Sequence, residues 1–384
     1  MSVDGIVLDC GSLLCKAGFA GDDAPCAVFP TVVGRPLHPG AAGLKDVYVG
    51  HDALSNRALV SMQKPISRGT PVDWDAVEVV WRHAFDQLGV LQFPDLPRAL
   101  LCETPLARLE DRERSAEIMF EALGVPALCI KNQAELAVFA TGQKTGLALD
   151  VGDGATHAVA VHDGRALPGA QRVEFGGRDL TEHLSALLEA SGYSFAGAPA
   201  HEILRDIKAR VGYVACDYAA EVAACAANPA LYARPYEWPG ATNPVHYDAE
   251  RFRLAEPLFS DGSALPGLTP ATADIPGALS RAISACDADV RPALFSNIVL
   301  SGGSTLFPGF VERLTREAAH FSPAGTALTF YGDAAGPQHR VWQAGSMVAS
   351  LTASAYSGWW MTRAEYDECG PVGIHEKCAW TPPW

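Results

Sequence analysis

The sequence has no apolar run long enough to span a bilayer, no excess of basic residues and no cysteine pair with zinc or redox spacing. Its formal net charge at pH 7 is −15, which opposes binding to phosphate backbones and to anionic lipid. We therefore expect neither nucleic acid nor membrane insertion. No basic segment precedes the short apolar stretch between Asp4 and Asp9, so we expect no signal peptide.

The composition is that of a globular chain of 384 residues. With 48% hydrophobic residues the chain can bury large cores, and its length suggests two or three domains. Because the ten cysteines lack paired spacing, we expect reduced, mostly buried thiols of a cytosolic or nuclear protein.

An internal repeat is the most informative pattern. Residues 6–12 read as an apolar strand ending in Asp-x-Gly-Ser, and residues 147–154 read as one ending in Asp-x-Gly-Asp-Gly. A second alternating run follows each, over 14–19 and 156–161, so each pair predicts a β-hairpin with a glycine-containing turn. Two such hairpins predict a duplicated domain that faces itself across a cleft.

Helical periodicity appears between and after the hairpins. Residues 112–124 carry an apolar face, and Asp179 is predicted to cap a helix with Glu182 at the capping-box position and Gly192 at its end. Pro308 is predicted in the first turn of a helix that reaches His320. Alternation of strands and helices indicates α/β architecture.

Two stretches are predicted to be irregular. Residues 36–46 contain prolines and glycines and indicate an exposed loop. Residues 228–277 are rich in proline and contain a predicted hairpin over 236–252.

Both glycine turns can present backbone N–H groups to phosphate oxygens, since Gly11, Gly152 and Gly154 have no Cβ to block a close approach. Lys16 follows on the second strand and could reach a phosphate as a point charge; the alternative is an exposed strand lysine. Asp9 ends the first of the two matching strands.

Asp150 ends the second of the two matching strands, at the place equivalent to Asp9. The two carboxylates could hold the water shell of Mg²⁺, which takes few direct protein ligands, or each could cap its own turn. Gln133 and His157 could orient an attacking water. Alternatively, Gln133 is only a polar residue at a helix end, and His157 is a core histidine whose hydrogen bonds are satisfied.

Two further glycine pairs follow apolar segments. Gly176-Gly177 precedes the helix at Asp179, and residues 298–304 read as a third apolar strand that enters a glycine turn, with Gly302-Gly303, before a helix. Both could approach a purine or a ribose closely.

Five segments resemble actin, namely residues 14–25, 150–157, 177–181, 300–305 and 365–371. The match extends from about residue 3 to about Cys378, so the chain is identified as a divergent member of the actin family. The resemblance implies an α/β, actin-like ATPase fold, in which two duplicated ribonuclease-H-like domains of four subdomains surround a nucleotide cleft. It further implies that this cleft binds ATP (or ADP) with Mg²⁺ (or Ca²⁺).

The resemblance also assigns roles. Phosphate contacts would come from the two turns and the lysine, that is from Gly11, Ser12, Leu13, Lys16, Asp153, Gly154 and Ala155. A hydrated cation would be surrounded by Asp9, Gln133 and Asp150, and the catalytic pair that positions the hydrolytic water would be Gln133 and His157. The adenosine side would be lined by Gly177, Arg205, Lys208, Gly303, Ser304, Leu306 and Phe307.

The implied domain boundaries follow the family. The outer core (subdomain 1) takes residues 1–30, 65–140 and 339–384, and a small outer subdomain takes 31–64. The inner core (subdomain 3) takes 141–175 and 272–338, and a small inner subdomain takes 176–271.

The sequence departs from the family at several positions. Leu13 replaces a glycine in the first phosphate turn, Val151 replaces a serine in the second, and Ala209 stands where a ribose-contacting glutamate is expected. The contact loop over 39–46 is short, with a tip of glycines and alanines, and residues 380–384 add two tryptophans that could dock a partner or pack on their own domain.

Together these features favour an actin-related, ATP-binding cytoskeletal protein, a structural or assembly subunit and at most a slow ATPase. The alternative is a conventional self-polymerising actin with slow ATP hydrolysis, and a more distant one is a small-molecule kinase of the same superfamily. Expected partners are other actin-family subunits or a larger assembly, with actin-binding-type regulators at the cleft near Phe139 and the range Met347 to Trp360. The expected location is the cytoplasm and cytoskeleton, with cilium or nucleus as open settings.

Overall fold

The computed structural model describes residues 5–38, 40, 43–93, 95–193, 200–237, 245–260, 273–332, 336, 338–355 and 357–379. Within them the chain forms two large sheets, three small ones and helices that cover the large sheets. The predicted docking tail at 380–384 and most of the contact-loop tip lie outside these residues.

The strands, in chain order, are β1 Gly5–Cys10, β2 Leu14–Phe19, β3 Ala27–Pro30, β4 Val33–Pro36, β5 Tyr48–Val49, β6 Val60–Gln63, β7 Ile66–Ser67, β8 Thr70–Pro71, β9 Arg98–Glu103, β10 Ala127–Asn132, β11 Gly146–Val151, β12 Thr156–His162, β13 Arg165–Ala166, β14 Gln171–Val173, β15 Arg234–Tyr236, β16 Val245–Tyr247, β17 Ile298–Ser301, β18 Phe330–Tyr331 and β19 Met361–Thr362.

The α-helices, in chain order, are α1 His51–Ser55, α2 Trp74–Gln87, α3 Leu109–Glu117, α4 Gln133–Phe139, α5 Gly177–Ala190, α6 Ala200–Val211, α7 Tyr218–Ala227, α8 Pro229–Tyr232, α9 Glu250–Arg253, α10 Ile275–Ser284, α11 Arg291–Phe295, α12 Phe310–Ala318, α13 Arg340–Ala355, α14 Arg363–Cys369 and α15 Ile374–Ala379.

The two large sheets share the topology of their central strands and differ at their edges, where β19 pairs with β10 in the first and β14 pairs with β12 in the second. The first has the order β19-β10-β9-β1-β2-β3 and the second β13-β12-β11-β17-β18. In each, a hairpin (β1–β2 or β11–β12) supplies the antiparallel side, and parallel strands (β9 and β10, or β17 and β18) continue from the first strand of that hairpin. The prediction of a duplicated α/β unit is therefore confirmed, while the four subdomain boundaries remain predictions.

The central strands are buried on both faces. Ile6, Val7 and Leu8 of β1 are at most 1% exposed, the pattern of a strand covered by helices on both sides. Trp342 of α13 covers one face and donates its indole N–H to the Val7 carbonyl at 3.0 Å. Residues of α2, such as Val77, pack with Ile6 and Leu8 on the other face.

Helix α4 lies between the two large sheets. Leu136 packs in the cluster of Val7 and Trp342 on the first sheet. The small residues Ala134 and Ala137 pack against the second sheet instead, and their size allows a close approach. This helix therefore carries its first residue, Gln133, to the junction of the two halves.

The predicted helices are present, but they begin at residues other than the predicted ones. Residues 109–117 form α3 and a π-helical turn continues to Ala122, so the helix begins earlier than residue 112, and Phe120 is buried as predicted. Asp179 is not the N-cap of α5. Gly176 is, and Asp179 sits at the third helical position, where its carboxylate accepts the Gly176 N–H at 2.8 Å.

Pro308 lies outside its predicted helix, because α12 begins at Phe310 after Gly309, which has a φ of 83°. The predicted hairpin over 236–252 is β15–β16, which begins at Arg234 and ends at Tyr247. Phe252 belongs to α9, where its side chain is fully buried.

The cysteine prediction is wrong in part. Cys10 and Cys15 form a disulfide, because they face each other at the last paired position of the β1–β2 hairpin with their Cα atoms 4.1 Å apart. Among the free cysteines, Cys26, Cys216 and Cys369 are exposed, so burial is less general than expected.

Candidate functional site

A cavity of about 380 Å³ opens where β1 and β11 end, within the range of small-molecule pockets. Each residue predicted to contact nucleotide, cation or water lines it, namely Asp9, Gly11, Ser12, Leu13, Lys16, Gln133, Asp150, Asp153, Gly154, Ala155, His157, Gly177, Arg205, Lys208, Gly303, Ser304, Leu306 and Phe307. The structure thus brings the whole predicted set together. Their roles toward a ligand remain predictions.

The two turns at the ends of the hairpins are built alike. The Gly11 N–H donates to the Leu14 carbonyl at 2.9 Å, and the Gly152 N–H donates to the Ala155 carbonyl at 3.1 Å. Each turn therefore closes across the same four-residue span. The duplicated sheet places the two equivalent turns on one cavity.

The carbonyl groups of the second turn all face protein donors. Those of Gly152 and Asp153 accept the N–H groups of Gly177 and Arg178 at 2.9 Å, and that of Gly154 accepts the Arg68 guanidinium at 2.9 Å. In a trans peptide the C=O and the following N–H point in opposite directions. The N–H groups that follow these carbonyls are therefore directed away from α5, on the side that an anion could use.

Asp9 is held from both sides. Its Oδ2 accepts Lys16 Nζ at 2.7 Å, and its Oδ1 accepts Gln133 Nε2 at 2.8 Å. The Lys16 side chain is only 15% exposed, so Lys16 is not an exposed strand lysine, and Gln133 is not merely a polar residue at a helix end. Burial alone would lower the pKa of Lys16, but the charges of Asp9 and Asp150 raise it above its ordinary value.

Asp150 occupies the equivalent place on the second hairpin. Its Oδ1 accepts the Ser301 hydroxyl of β17 at 2.8 Å, so it does not cap its own turn. Burial raises the pKa of Asp150, and the nearby charge of Asp9 adds to the rise, whereas Ser301 and Lys16 oppose it. The pair of carboxylates can thus hold a cation whose charge they share.

His157 lies directly across the β11–β12 hairpin from Asp150, as Lys16 lies across from Asp9. It is 3% exposed, and neither ring nitrogen has a hydrogen-bond partner, so the reading as a satisfied core histidine is wrong. Burial lowers its pKa to about 4. At neutral pH the ring is uncharged, and one nitrogen can accept a proton or a hydrogen bond from water.

Lys208 of α6 is a second buried lysine that lines the cavity. Its Nζ donates to the Gly177 carbonyl at the start of α5. Burial lowers the pKa of Lys208 to about 8, and Asp153 only partly offsets this. A negatively charged ligand in the cavity would restore full protonation.

Leu13 fits its turn without backbone strain, because it is absent from the non-glycine residues that have a positive φ. Its carbonyl accepts the Thr31 N–H at 2.9 Å. Ala209 and Val341 also line the cavity and make part of its wall apolar.

Sequence reasoning missed several residues at the cavity. Gly69 and Thr104 line it and are joined by a hydrogen bond from Thr104 Oγ1 to the Gly69 carbonyl at 3.1 Å. Arg68 contacts the second turn from a segment that is 86 positions away in sequence. The only local signal was Gly69, a residue common in turns, and it says nothing about the tertiary contacts of the segment.

The region predicted to face regulatory partners is partly exposed. Met347 of α13 is 43% exposed, whereas Phe139 is half-buried against the cluster that contains Val348. Trp359 is buried with Lys131 Nζ 3.8 Å from its ring centre, and Trp360 is buried beside it. The two tryptophans therefore belong to the core and not to an exposed docking face.

No helix among the described residues is both long and apolar enough to cross a membrane.

A family model of actin matches residues 1–379, nearly the whole chain. The match agrees with the two equivalent sheets, the paired turns and the cavity between them. The mixed α/β architecture is that of the actin-like ATPase fold. The chain belongs to the actin family.

Proposed function

We propose that this chain is an actin-related cytoskeletal subunit that binds ATP with Mg²⁺ and acts through nucleotide-dependent closure and protein contacts. The observation that carries the proposal is the pair of equivalent turns, Gly11–Leu14 and Gly152–Ala155, on one cavity. Two backbone turns that line one cavity from two sheets can offer N–H groups to a chain of phosphates. A ligand that contacts both turns favours the closed arrangement of the domains.

The residues present fit a hydrated divalent cation. Asp9 and Asp150 are oxygen donors on adjoining walls of the cavity, and Gln133 and Lys16 fix the orientation of Asp9. Mg²⁺ keeps several waters and is usually held by one or two carboxylates together with substrate phosphates. When bound, the cation would neutralise phosphate charge, and Asp9, Gln133 and Asp150 would hold its waters.

The same residues support a slow hydrolysis at most. A neutral His157 with two unpartnered ring nitrogens can orient a water, and Gln133 at the junction of the domains can share that task. Val151 and Leu13 change both phosphate turns relative to the family pattern. We therefore propose that binding, more than turnover, is the function that this cavity serves.

The first test is nucleotide binding by the purified chain. Titration calorimetry with ATP in Mg²⁺ should give one site per chain. Lys16→Met should weaken it at least tenfold, because the variant loses the lysine charge beside the turns. Lys45→Met is the matched control, since Lys45 pairs with Asp52 on the surface at 3.0 Å. No binding by the unaltered chain would contradict the proposal.

The second test separates a structural subunit from a self-polymerising actin. The contact-loop sequence Gly40-Ala41-Ala42-Gly43 offers little apolar area for a neighbouring copy, which favours the structural subunit. The protein should stay in the supernatant after sedimentation in ATP, Mg²⁺ and KCl, with slow phosphate release. Pelleting together with phosphate release would establish the conventional alternative.

We also propose which proteins this subunit contacts. Other actin-family subunits or a larger cytoskeletal assembly would supply the contacts that the short loop does not. Met347 and the neighbouring Leu351, 59% exposed on α13, offer an apolar surface to actin-binding-type regulators beside Phe139. Sedimentation with conventional actin filaments tests the first of these, and saturable recruitment is the expected result.

A further inference from the structure

The disulfide between Cys10 and Cys15 lies at the base of the first glycine turn. The two residues face each other at the last pair of β1 and β2, with their Cα atoms 4.1 Å apart. The next pair, Gly11 and Leu14, carries a backbone hydrogen bond of 2.9 Å. Because hydrogen-bonded and non-hydrogen-bonded pairs alternate along an antiparallel ladder, Cys10 and Cys15 are a non-hydrogen-bonded pair. The sulfur atoms therefore join the two strands at a position where the backbone does not.

The second hairpin is built differently at the equivalent position. Val151 and Thr156 form its last pair, and Thr156 Oγ1 donates to the Phe175 carbonyl at 2.9 Å. Neither side chain can form a covalent bond to the other strand. Of the two turns that line the cavity, it is the first that a change of redox state can loosen.

Proximity, and not exposure, selects this pair of cysteines for oxidation. Cys26, Cys216 and Cys369 are exposed and are free thiols, whereas Cys15 is fully buried and is oxidised. The bond closes a loop of only five positions, and a short loop stabilises a fold less than a long one. In the reducing compartments where we expect this protein, disulfides are usually transient and sense redox state. The pair therefore has the placement of a redox site more than that of a structural crosslink.

An external thiol can reach this bond from the side of Cys10. Cys10 is half-buried and lines a second cavity, of about 70 Å³, whereas Cys15 is fully buried. Gly69 and Thr104 line both this cavity and the larger one, so the two cavities adjoin. Cys102 also lines the second cavity, but burial raises its pKa well above the ordinary value. The Cys102 thiol therefore stays protonated and does not compete for the bond.

We propose that Cys10 and Cys15 are a reversible thiol–disulfide site, whose oxidised state holds the first turn closed and strengthens nucleotide binding. The effect on nucleotide rests on the proposed function. Because the disulfide restricts the ligand-free turn, less conformational entropy is lost when a phosphate binds to the turn. Reduction leaves the hairpin paired through the backbone of its other residues, so binding weakens without being abolished.

The redox step exchanges bonds between sulfur atoms. In reduction, an external thiolate attacks Cys10 Sγ, the bond between Cys10 and Cys15 breaks, and Cys15 leaves as a thiolate that takes up a proton. A second external thiol then attacks the mixed disulfide, which releases the Cys10 thiol and an external disulfide. Oxidation by glutathione disulfide runs the same steps in reverse and passes two electrons and two protons to two molecules of glutathione.

The first measurement compares ATP affinity, in Mg²⁺, of the full chain oxidised with glutathione disulfide and reduced with dithiothreitol. Alkylation and mass spectrometry report the state of the two cysteines in each sample. The reduced chain should bind ATP about three- to tenfold more weakly, the effect expected for losing the restraint on one or two side chains.

Variants of the pair show whether this bond is responsible. Cys10→Ser should bind ATP as the reduced chain does under both conditions, and Cys15→Ala should do the same without placing a hydroxyl in the core. Cys369→Ser, which removes an exposed thiol on α14, is the matched control and should keep the full difference between the two conditions.

A second readout follows from thermodynamic linkage. If oxidation strengthens ATP binding by a given factor, saturating ATP must favour the disulfide over the dithiol by the same factor. In glutathione buffers, the value of [GSH]²/[GSSG] at which half of the pair is reduced should therefore rise by that factor when ATP and Mg²⁺ are added. A disulfide that only stabilised the fold would show no such rise.

The outcomes separate the redox site from the proposed function. ATP affinities of the oxidised and reduced chains that differ by less than twofold would overturn the redox site and leave nucleotide binding intact. A pair that stays reduced in glutathione disulfide, or a Cys369→Ser variant that loses the difference, would also overturn it. Absence of ATP binding to both forms would overturn the proposed function, and the effect of the disulfide on nucleotide with it.

Discussion

The charge states of three buried side chains at the cavity, Lys16, Asp150 and His157, have different causes. Lys16 keeps a raised pKa because Asp9 and Asp150 outweigh its burial. Asp150 has a raised pKa because burial outweighs Ser301 and Lys16. The ring of His157 has no hydrogen-bond partner; burial, and after it the positive charge of Arg172, lowers its pKa and keeps it neutral. The site therefore has one charged contact and one neutral acceptor at equivalent positions of the two hairpins.

His157 should make the fold sensitive to acid. Its pKa is about 4 when folded and 6.5 in the ordinary state, so the unfolded chain takes up a proton between these values and the folded chain does not. The free energy of unfolding is therefore unaffected by this group above pH 6.5. As the pH falls from 6.5 to 4, the free energy of unfolding decreases by about 2–3 kcal/mol. His157→Gln should lose less stability than the unaltered chain between pH 7 and pH 4.5 in denaturant melts.

The control for this prediction is His162→Gln on the same strand, where the side chain is 41% exposed. His183, whose pKa burial also lowers to about 4, is present in all three proteins, so the comparison isolates His157. An identical acid response of His157→Gln and the unaltered chain would contradict the prediction.

Much of the residue-level site could be predicted from the sequence, because the chemistry-bearing residues flank the turns within a few positions. Asp9, Lys16, Asp150 and His157 all belong to the two hairpins. Arg68 could not be predicted, since its partners are set by how two distant segments pack.

At the scale of elements, the turns show why glycine is needed. A Cβ on Gly154 would lie 2.6 Å from both the Arg68 Cα and the Ser12 Oγ. From the sequence we attributed the absence of a side chain at Gly154 to the close approach of a phosphate. The structure shows instead that the backbone of the turn at Arg68 occupies the space that a side chain would need. A Cβ on Gly303, by contrast, would meet no atom within 4 Å.

Gly154→Ala should therefore destabilise the ligand-free protein by about 1–3 kcal/mol, the usual cost of overpacking. Gly303→Ala should leave the unfolding midpoint of the ligand-free protein nearly unchanged. Thermal unfolding of the two variants side by side is the measurement. Equal midpoints for both would show that the turn of Arg68 moves aside freely.

A buried ion pair joins α12 to the segment that follows α9. Arg313 binds both carboxylate oxygens of Glu256 at 3.0 and 3.1 Å and donates to the Ala215 carbonyl at 2.9 Å. Both side chains are at most 10% exposed. Removing one partner leaves an unpaired buried charge, which is more costly than losing a surface pair.

Arg313→Gln should lower the free energy of unfolding by about 3 kcal/mol or more. Arg210→Gln on α6, which loses an ion pair to Asp206 with the arginine 70% exposed, should cost no more than about 0.5 kcal/mol. Urea melts of both variants give the comparison. A cost for Arg313→Gln as small as that for Arg210→Gln would show that water or other groups satisfy Glu256.

The positions of the helices and strands could be predicted from the periodicity of apolar residues, whereas the residues at which they begin and end could not. Gly176 caps α5 because Asp179 reaches back to it, and a glycine carries no side chain that would mark it as a cap. The π-helical turn after Glu117 has no local signature in the sequence either.

At the scale of the whole molecule, ligand binding and stability are linked. A ligand that binds only the folded chain, and contacts both sheets through their turns, stabilises both domains at once. At a free concentration one hundred times its dissociation constant, ATP with Mg²⁺ should raise the free energy of unfolding by about 2.7 kcal/mol. Calorimetric scans at increasing nucleotide concentration measure this.

The same scans without Mg²⁺ serve as the control and should show a smaller rise. A rise that is equal with and without the cation would contradict the roles proposed for Asp9 and Asp150. The duplicated architecture was predictable at this scale because the repeat is visible in sequence, whereas the relation between the domains depends on α4 and on contacts such as that of Arg68.

The order of the strands along the chain has a consequence for biosynthesis. All strands of the second sheet lie between Gly146 and Tyr331, whereas the first sheet begins at Gly5 and is completed by Met361 and Thr362. The Val7 carbonyl accepts a hydrogen bond from the indole of Trp342, which lies 335 positions later in the chain. During synthesis the first sheet therefore cannot gain its edge strand β19 or the covering helix α13 until the last part of the chain emerges, so we expect the face of β1 that Trp342 covers to stay exposed until then.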